Sequence, residues 1–306
     1  MKVFVTGATG FVGEEILNHL HQAGHSIRIL ARDPLSARVR EAAARYKAEV
    51  HAGDILDPAS LPQGLRGMDA VIHLVGIISE VGRNTFEQVH TQGTQAIVTG
   101  AQQAGVKRFV HMSALGSRAG AASRYHLSKW AAEENVRRSG LDFTIFRPSI
   151  ICGPNDHFVN MFDRMARLSP VLPVIGSGQS KLQPVPVEDV AACFVGALGE
   201  AKSIGQHYDL CGKDVLTFVE VLDSILEVTG RRRFKLHVPM SVARLQAAIL
   251  ETICSKVLGK SPPLNRDQLL MLSEDNVGNP QPANDLFGLK PIPFKEGIAR
   301  YLKRKS

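Results

Sequence analysis

The chain has 306 residues, 44% of them hydrophobic, enough to bury a substantial core and to exclude an extended, disordered polypeptide. Its formal net charge is +7, concentrated locally only at Arg231-Arg232-Arg233 with Lys235 and at Arg300, Lys303, Arg304 and Lys305; runs this short ordinarily face water, so nucleic acid is not an expected partner. Four cysteines, Cys152, Cys193, Cys211 and Cys254, form no CxxC pair and no His/Cys cluster at metal-ligand spacing, which points away from a disulfide framework or a metal and towards a reducing cytoplasm.

The start, MKVFVTG, passes straight into a glycine turn without a basic n-region or an apolar h-region, and no apolar run reaches about 18 residues. The expectation is a chain without secretory signal or membrane span, cytoplasmic, with at most peripheral contact at the inner face of a membrane.

Apolar runs bounded by turn residues alternate with helical stretches. A strand at residues 3–5 leads into a helix from about residue 10, and a strand at 27–30 into a helix through residue 44. A weaker strand at 49–52 precedes Gly53-Asp54. Residues 71–75 then feed a helix over 86–104, residues 109–112 feed one over 125–138, and a strand at 143–146 follows. Strands separated by helices of this length pair in parallel through right-handed crossovers, giving a sheet covered on both faces. The predicted class is therefore α/β, a doubly wound parallel sheet of the Rossmann type, with a dinucleotide-binding domain at 1–150.

After Arg147-Pro148, prolines at 148, 154, 170, 173, 184 and 186 break the chain into shorter elements, with helices expected over 187–198, 218–228 and 242–257. Residues 151–306 read as a smaller, mostly helical substrate or partner lobe that has the option of returning a strand or two to the main sheet. Ligand is expected between the lobes, at the carboxyl ends of the parallel strands.

The first turn carries the chemistry. Gly7-x-x-Gly10-x-x-Gly13 follows a strand and opens a helix, so it can present backbone N–H groups and a positive helix end to a pyrophosphate. Gly7 permits the tight turn, Gly10 the phosphate approach and Gly13 the helix–strand packing. Thr9, Phe11 and Val12 complete the expected cradle. The plainer alternative is a turn that only connects two elements. At the end of the second strand, in SIRILARDP, Arg32 stands where a 2′-phosphate would sit, which favours NADP(H); Asp33 leaves NAD(H) open, and Arg28 is one strand face away. Asp54, followed by Ile55 in AGDILD, is placed either to meet the adenine amino group or to cap a helix before Pro58.

A second constellation joins Ser113, at the end of the fifth strand, to Tyr125-x-x-x-Lys129 on the next helix. A spacing of four puts Tyr125 and Lys129 on one face, where the ammonium favours the phenolate and fixes a ribose, while Ser113 can hydrogen-bond the same substrate oxygen. Such a trio exchanges a proton at a carbonyl or alcohol as hydride passes to or from nicotinamide. Tyr-x-x-x-Lys alone is usually structural; after a dinucleotide turn and a strand-end serine it reads as functional.

On TGATGFVG, AGDILD, VIHLVG, GVKRFVHMSALG, YHLSK and RPSIICGP, the chain resembles the extended and atypical short-chain dehydrogenase/reductase superfamily, which includes the NAD-dependent epimerase/dehydratase type, over nearly its whole length. The resemblance implies catalytic positions at Ser113, Tyr125 and Lys129, places Pro148 and Ser149 beside the nicotinamide, and makes Leu74, Val75 and Gly76 a backbone wall of the cofactor site. VHTQGTQAIVTGAQQAGVKRFVHMSALG, RPSIICGPNDHFVN, PVPVEDVA, RDQLLMLSEDNVG and FGLKPIPFKEGI narrow it to the group of the accessory nucleotide-binding subunit of respiratory complex I and its bacterial relatives. Members of that group bind NADP(H) firmly, and in many the Ser/Tyr/Lys set is incomplete; here it is intact.

Two functions follow from this reading. One is an NADP(H)-dependent oxidoreductase, or an epimerase or dehydratase using transient oxidation, on a small or quinone-like substrate. The other is a cofactor-binding structural or assembly subunit that docks on a respiratory or membrane-associated partner without turnover. A nucleotide-sugar substrate ranks third, because the carboxyl lobe is unlike that of sugar epimerases. His157, Phe158, Asn160 and Met161 are expected to border a pocket, although an apolar helix face explains Phe158 and Met161 equally well. His111 and His126 are read as structural.

One more pattern stands outside the nucleotide chemistry. Val242, Leu245, Ile249, Ile253 and Val257 form an apolar stripe at helical spacing. It is expected to pack into its own lobe; with Arg231-Arg232-Arg233, Lys235, Lys256 and Lys260 as a basic border, it would alternatively suit an anionic membrane or a respiratory partner.

Overall fold

In the computed structural model, which describes residues 1–257 and 259–302 with the side chains of 255–257 excepted, the first half runs β1 (Lys2–Thr6), α1 (Phe11–Gln22), β2 (Ser26–Ala31), α2 (Ala37–Tyr46), β3 (Glu49–Ala52), α3 (Pro62–Leu65), β4 (Ala70–His73), α4 (Gly93–Gln103), β5 (Arg108–Met112), α5 (Arg124–Arg137) and β6 (Asp142–Pro148). There follow β7 (Ile151–Cys152), α6 (Phe158–Leu168), β8 (Val171–Ile175), β9 (Lys181–Leu182), β10 (Val185–Pro186), α7 (Val187–Gly196), β11 (Gln206–Leu210), β12 (Leu216–Thr217), α8 (Phe218–Val228), β13 (Phe234–Val238), α9 (Met240–Glu251), α10 (Arg266–Leu272), α11 (Gln281–Phe287) and α12 (Phe294–Leu302). The chain divides into one unit of Met1–Ile78, Arg83–Arg147 and Val190–Tyr208, and a second of Ser79–Gly82, Pro148–Asp189 and Asp209 onward. Residues 190–208, beyond the expected boundary at 150, thus join the first unit.

The first unit is built on a seven-stranded sheet of order β11-β6-β5-β4-β1-β2-β3, with parallel pairing from β6 through to β3. In β1, Val3, Phe4 and Val5 are all fully buried, the pattern of a strand covered on both faces. Phe4, Leu65, Val71, Ile97, Phe109 and Ile145 share one buried cluster. The strand order reverses between β1 and β4, so the loops leaving these two strands open a crevice at their carboxyl ends. Buried Arg108 fixes the 190–208 segment, donating to Thr144 Oγ1 at 2.6 Å, the Ala197 carbonyl at 2.7 Å and Ser203 Oγ at 2.8 Å. The helix expected over 86–104 enters through a π-helical stretch, Glu87–Gln92, before α4.

In the second unit α6, α8 and α12 close on Val159, Phe162, Phe218, Leu222, Ile298 and Tyr301, and β8 pairs in parallel with β13. A capping box at Thr217 and Glu220 starts α8. Of the residues expected at a pocket, Phe158 packs edge-on against Phe162 at 5.3 Å, and Met161 lies against the same cluster. Asn160 Nδ2 ties down its own entry loop through the Gly153, Pro154 and Asp156 carbonyls, and His157 is exposed.

The helix expected over 242–257 is α9 followed by a π-helical stretch, Thr252–Val257. It buries Ala243 and Ala247 against Leu269, and leaves Val242, Leu245, Ile249 and Ile253 47–65% exposed. The stripe therefore does not pack into its own lobe. Small alanines let the helix approach closely, and the larger side chains face outward. The side chains of Lys256 and Val257, and residues Lys303, Arg304 and Lys305, lie outside the described ones.

Candidate functional site

The glycine turn is shaped by contacts that exclude side chains. Gly7 has φ of 74°, and a Cβ there would stand 3.2 Å from Leu74 Cβ and the Val75 amide nitrogen. A Cβ at Gly13 would lie 2.3 Å from the Gly7 carbonyl oxygen, so only glycine lets α1 start this close to β1. Gly10 is the N-cap residue of α1 and no side chain caps it; the first helical bond runs from Glu14 N to Gly10 O at 2.9 Å. The amides of Phe11, Val12 and Gly13 are thus not consumed by helical carbonyls. Thr9 and Gly10 are exposed, Phe11 is half-buried and Val12 buried. Amides at a positive helix end, beside bare backbone, fit a pyrophosphate.

Around this turn the charged groups are sorted. Arg28 is occupied, donating to Glu49 at 2.8 Å and to the Gly64 and Arg66 carbonyls at 2.9 and 3.2 Å. Asp33 Oδ1 accepts the Leu35 amide at 3.1 Å, which spends the carboxylate on its own turn. The Arg32 side chain is exposed and makes no hydrogen bond among the described residues. Asp54 Oδ1 accepts the Leu56 amide at 3.0 Å and Oδ2 faces Arg83 at 3.4 Å. The cap of the turn at Pro58 is Asp57, not Asp54. Ile55 is buried against Gly93, where a Cβ would come within 2.6 Å of its Cδ1.

Beyond β4, Leu74 is buried, Val75 half-buried and Gly76 exposed. A Cβ at Gly76 would stand 3.4 Å from both Lys129 Nζ and His90 Nε2. Lys129 is 2% exposed and donates to the Met112 carbonyl, at the end of β5, at 2.7 Å. Burial lowers its ammonium to about 8, opposed by the charge of Glu133 one turn along. Tyr125, Lys129, Glu133 and Arg137 follow at four-residue spacing on α5. Tyr125 is half-buried, its ring edge-on to His90 at 5.3 Å and to Phe86 at 5.9 Å.

Ser113 is buried; its amide donates to the Phe146 carbonyl at 2.8 Å, and its hydroxyl donates to Ser117 Oγ at 3.2 Å. Burial alone would raise Glu133, but hydrogen bonds and charge from Arg147, with help from Ser113 and Arg137, hold it below its ordinary value.

His90 organises the inner wall. Its Nε2 accepts the Ile77 amide at 2.9 Å, so the ring proton is on Nδ1, which donates to Ser128 Oγ at 2.8 Å; Ser128 Oγ donates in turn to the Tyr125 carbonyl at 2.8 Å. Burial, reinforced by the Lys129 charge, drives His90 down to about 2. His73 is likewise lowered to about 3 by burial and then Lys129, and contacts Thr6 and Thr94 hydroxyls at 2.7 and 3.1 Å. His111 stacks on His73 at 5.5 Å, and neither of its ring nitrogens has a hydrogen-bond partner among the described residues. His126 is buried under Gly116.

Pro148 and Ser149 belong to the second unit, where Ser149 Oγ donates to Asn276 Oδ1 at 2.5 Å. A cavity of about 520 Å³, lined by Asp69, Lys107, Asp142 and Glu200 among others, opens at the amino ends of β4, β5 and β6. The glycine turn is at the carboxyl ends, so this cavity is not the nucleotide cradle.

Residues 7–201 match the family model described as NAD(P)H-binding. The chain belongs to this family. Among its relatives, the "NADH dehydrogenase [ubiquinone] 1 alpha subcomplex subunit 9, mitochondrial" of Arabidopsis thaliana is 28% identical over 285 residues, covering 89% of this chain and 70% of that protein. A "Ceramide reductase" of Caulobacter vibrioides is 34% identical over 243 residues, covering 78% and 73%. The fold is shared with dTDP-glucose 4,6-dehydratase DesIV of Streptomyces venezuelae, solved with NAD bound, at a TM-score of 0.75 and 23% identity over 100% of this chain and 98% of that one. The chain is therefore a member of an NAD(P)H-binding family with the fold of that dehydratase, and no helix among the described residues is long and apolar enough to cross a membrane.

His90, Glu133 and Arg147 were not singled out from the sequence. The four-residue ladder 125/129/133/137 is visible there and would have pointed to Glu133. His90 and Arg147 carry no such signal.

Proposed function

We propose that this protein is an NADP(H)-dependent oxidoreductase acting on a small or quinone-like carbonyl substrate, with Tyr125 and Lys129 as its working pair. The observation that carries the reading is the buried Lys129 ammonium, held by the Met112 carbonyl against Gly76 on the α5 face it shares with Tyr125. Gly7, Thr9, Gly10, Phe11, Val12 and Gly13 would hold the pyrophosphate, Arg32 the 2′-phosphate, Asp54 and Ile55 the adenine end, and Leu74, Val75 and Gly76 the nicotinamide end. When bound, the nicotinamide supplies or accepts the hydride. Tyr125 gives its phenolic proton to the substrate oxygen during reduction, and the Lys129 charge stabilises the phenolate that remains. Ser113, whose hydroxyl donates to Ser117, acts on the substrate oxygen only if that hydroxyl turns away from Ser117. The reductase named among the relatives supports the direction of the reading.

A second reading is a nucleotide-binding subunit that docks on a respiratory complex without turnover, working in the cytoplasm at the inner face of a membrane. It is supported by the Ser113–Ser117 hydrogen bond, which occupies the Ser113 hydroxyl, and by the name of the Arabidopsis relative. Mass spectrometry of the copurifying nucleotide, followed by a screen of quinones and carbonyl compounds for NADPH oxidation, separates the two. Stoichiometric NADPH with no oxidation of it across the screen would favour the subunit.

A further inference from the structure

We propose that the exposed apolar face formed by β13 and α9 is a docking surface for an anionic lipid bilayer. Through the segment 231–233 and into β13 the side chains alternate. Arg231 pairs with Asp163 at 2.8 Å, Arg233 donates to the Ala166 carbonyl at 2.7 Å and Lys235 pairs with Asp223 at 2.6 Å. The other side of this segment therefore carries Arg232, just before the strand, and Phe234 and Leu236 on it, all exposed, with Phe234 at 68% and Leu236 at 51%. The strand passes into α9 through Pro239, and α9 with the π-helical stretch that continues it adds Val242, Leu245, Ile249 and Ile253 at intervals of three and four, each about half exposed or more. Elsewhere among the described residues exposed apolar side chains such as Leu35 are scattered, which is ordinary for a protein surface. An uncovered stripe of this length marks an interaction site.

Charge selects the occupant. Residues 231–260 hold seven lysines and arginines against one glutamate, and only Arg231 and Lys235 of the seven are paired with carboxylates outside this stretch, Asp163 and Asp223, among the described side chains. The glutamate, Glu251, is already paired with Arg266 at 2.8 Å. Arg232, Arg244 and Lys260 are exposed and without an ionic partner among the described residues. A second copy would bring two strongly positive faces together, whereas an anionic bilayer accepts the apolar stripe and attracts the surrounding cations at once. α9 is too short to span and would lie in the interfacial plane. This inference does not depend on whether Tyr125 and Lys129 turn over a substrate.

The test is cosedimentation of the full chain with vesicles of phosphatidylglycerol and phosphatidylcholine, and with phosphatidylcholine alone, at low and high salt. The anionic vesicles are expected to pellet the protein at low salt, with binding about tenfold weaker at high salt or on the neutral lipid. Leu245→Glu with Ile249→Glu should lose binding while keeping its circular dichroism and NADPH affinity. Arg232→Glu with Arg244→Glu, which leaves the apolar face intact, should weaken binding to anionic vesicles alone. Failure to pellet at low salt, or undiminished binding by both double variants, overturns the proposal. So does a dimer in solution that Leu245→Glu with Ile249→Glu dissolves, which would assign the face to a second copy.

Discussion

Arg147 grips Glu133 with two parallel hydrogen bonds, Nε to Oε1 at 2.8 Å and Nη2 to Oε2 at 2.6 Å, while Arg137 reaches the same carboxylate from one turn along α5 at 2.5 Å. The carboxylate is fully buried, so its charge is tolerated only because two guanidinium groups surround it. Glu133→Gln keeps the shape and removes the charge. It should cost about 3 kcal/mol of stability in urea unfolding, as for a broken buried pair. Because the folded-state carboxyl titrates below its ordinary value, the unmodified protein has this contribution above that ordinary value and loses it as the pH falls through the lowered one. The Glu133→Gln variant should lack that part of the acid dependence.

Lys129 gives a slope of the same sign in an alkaline window, for the opposite reason: burial disfavours its charged form. Its ammonium titrates near 8 when folded and at its ordinary 10.5 when unfolded. Between those values the unfolded chain holds a proton that the folded one has released, so stability rises with pH from about 8 towards 10.5, by at most about 3 kcal/mol. Denaturant titrations across that window should show the slope in the cofactor-free protein and a flatter one in Lys129→Met. Equal slopes would refute the buried-ammonium assignment.

Arg32 is the cation left available at the end of β2, with Arg28 and Asp33 both engaged elsewhere. Calorimetric titration should therefore find NADPH bound more tightly than NADH. Arg32→Ala should remove most of the difference, about 1–3 kcal/mol, while barely changing NADH affinity. Equal affinities in the unmodified protein would count against the assignment.

If turnover is found, Tyr125→Phe should abolish it with NADPH affinity nearly unchanged, because only the hydroxyl is removed. Ser113→Ala should cost less, since the Ser113 hydroxyl is turned to Ser117. A larger loss in Ser113→Ala than in Tyr125→Phe would reverse these roles.

The alternation of apolar runs and helices was legible because parallel strands buried on both faces read as continuous apolar segments, as in Val3–Val5. The glycine turn was legible for a related reason: glycine is demanded where backbone meets backbone. What stayed hidden are contacts that only the fold creates. His90 meets Ile77 across 13 residues and Arg147 meets Glu133 across 14, with no local pattern to announce either. The π-helical entry at Glu87–Gln92, too, has the composition of an ordinary helix start. For α9, an apolar period of three and four is the same whether the stripe is buried or bare; the deciding residues were Ala243 and Ala247, which a hydrophobicity pattern ranks low.

The Ile77–His90–Ser128–Tyr125 chain has a fixed polarity, every donor pointing the same way from one main-chain amide to one main-chain carbonyl. Reversing it would require the Ile77 amide to give up its hydrogen, which no protein side chain can force. His90 is therefore a strut and not a wire: it sets where Tyr125 stands, but a proton leaving the phenol must travel by another road.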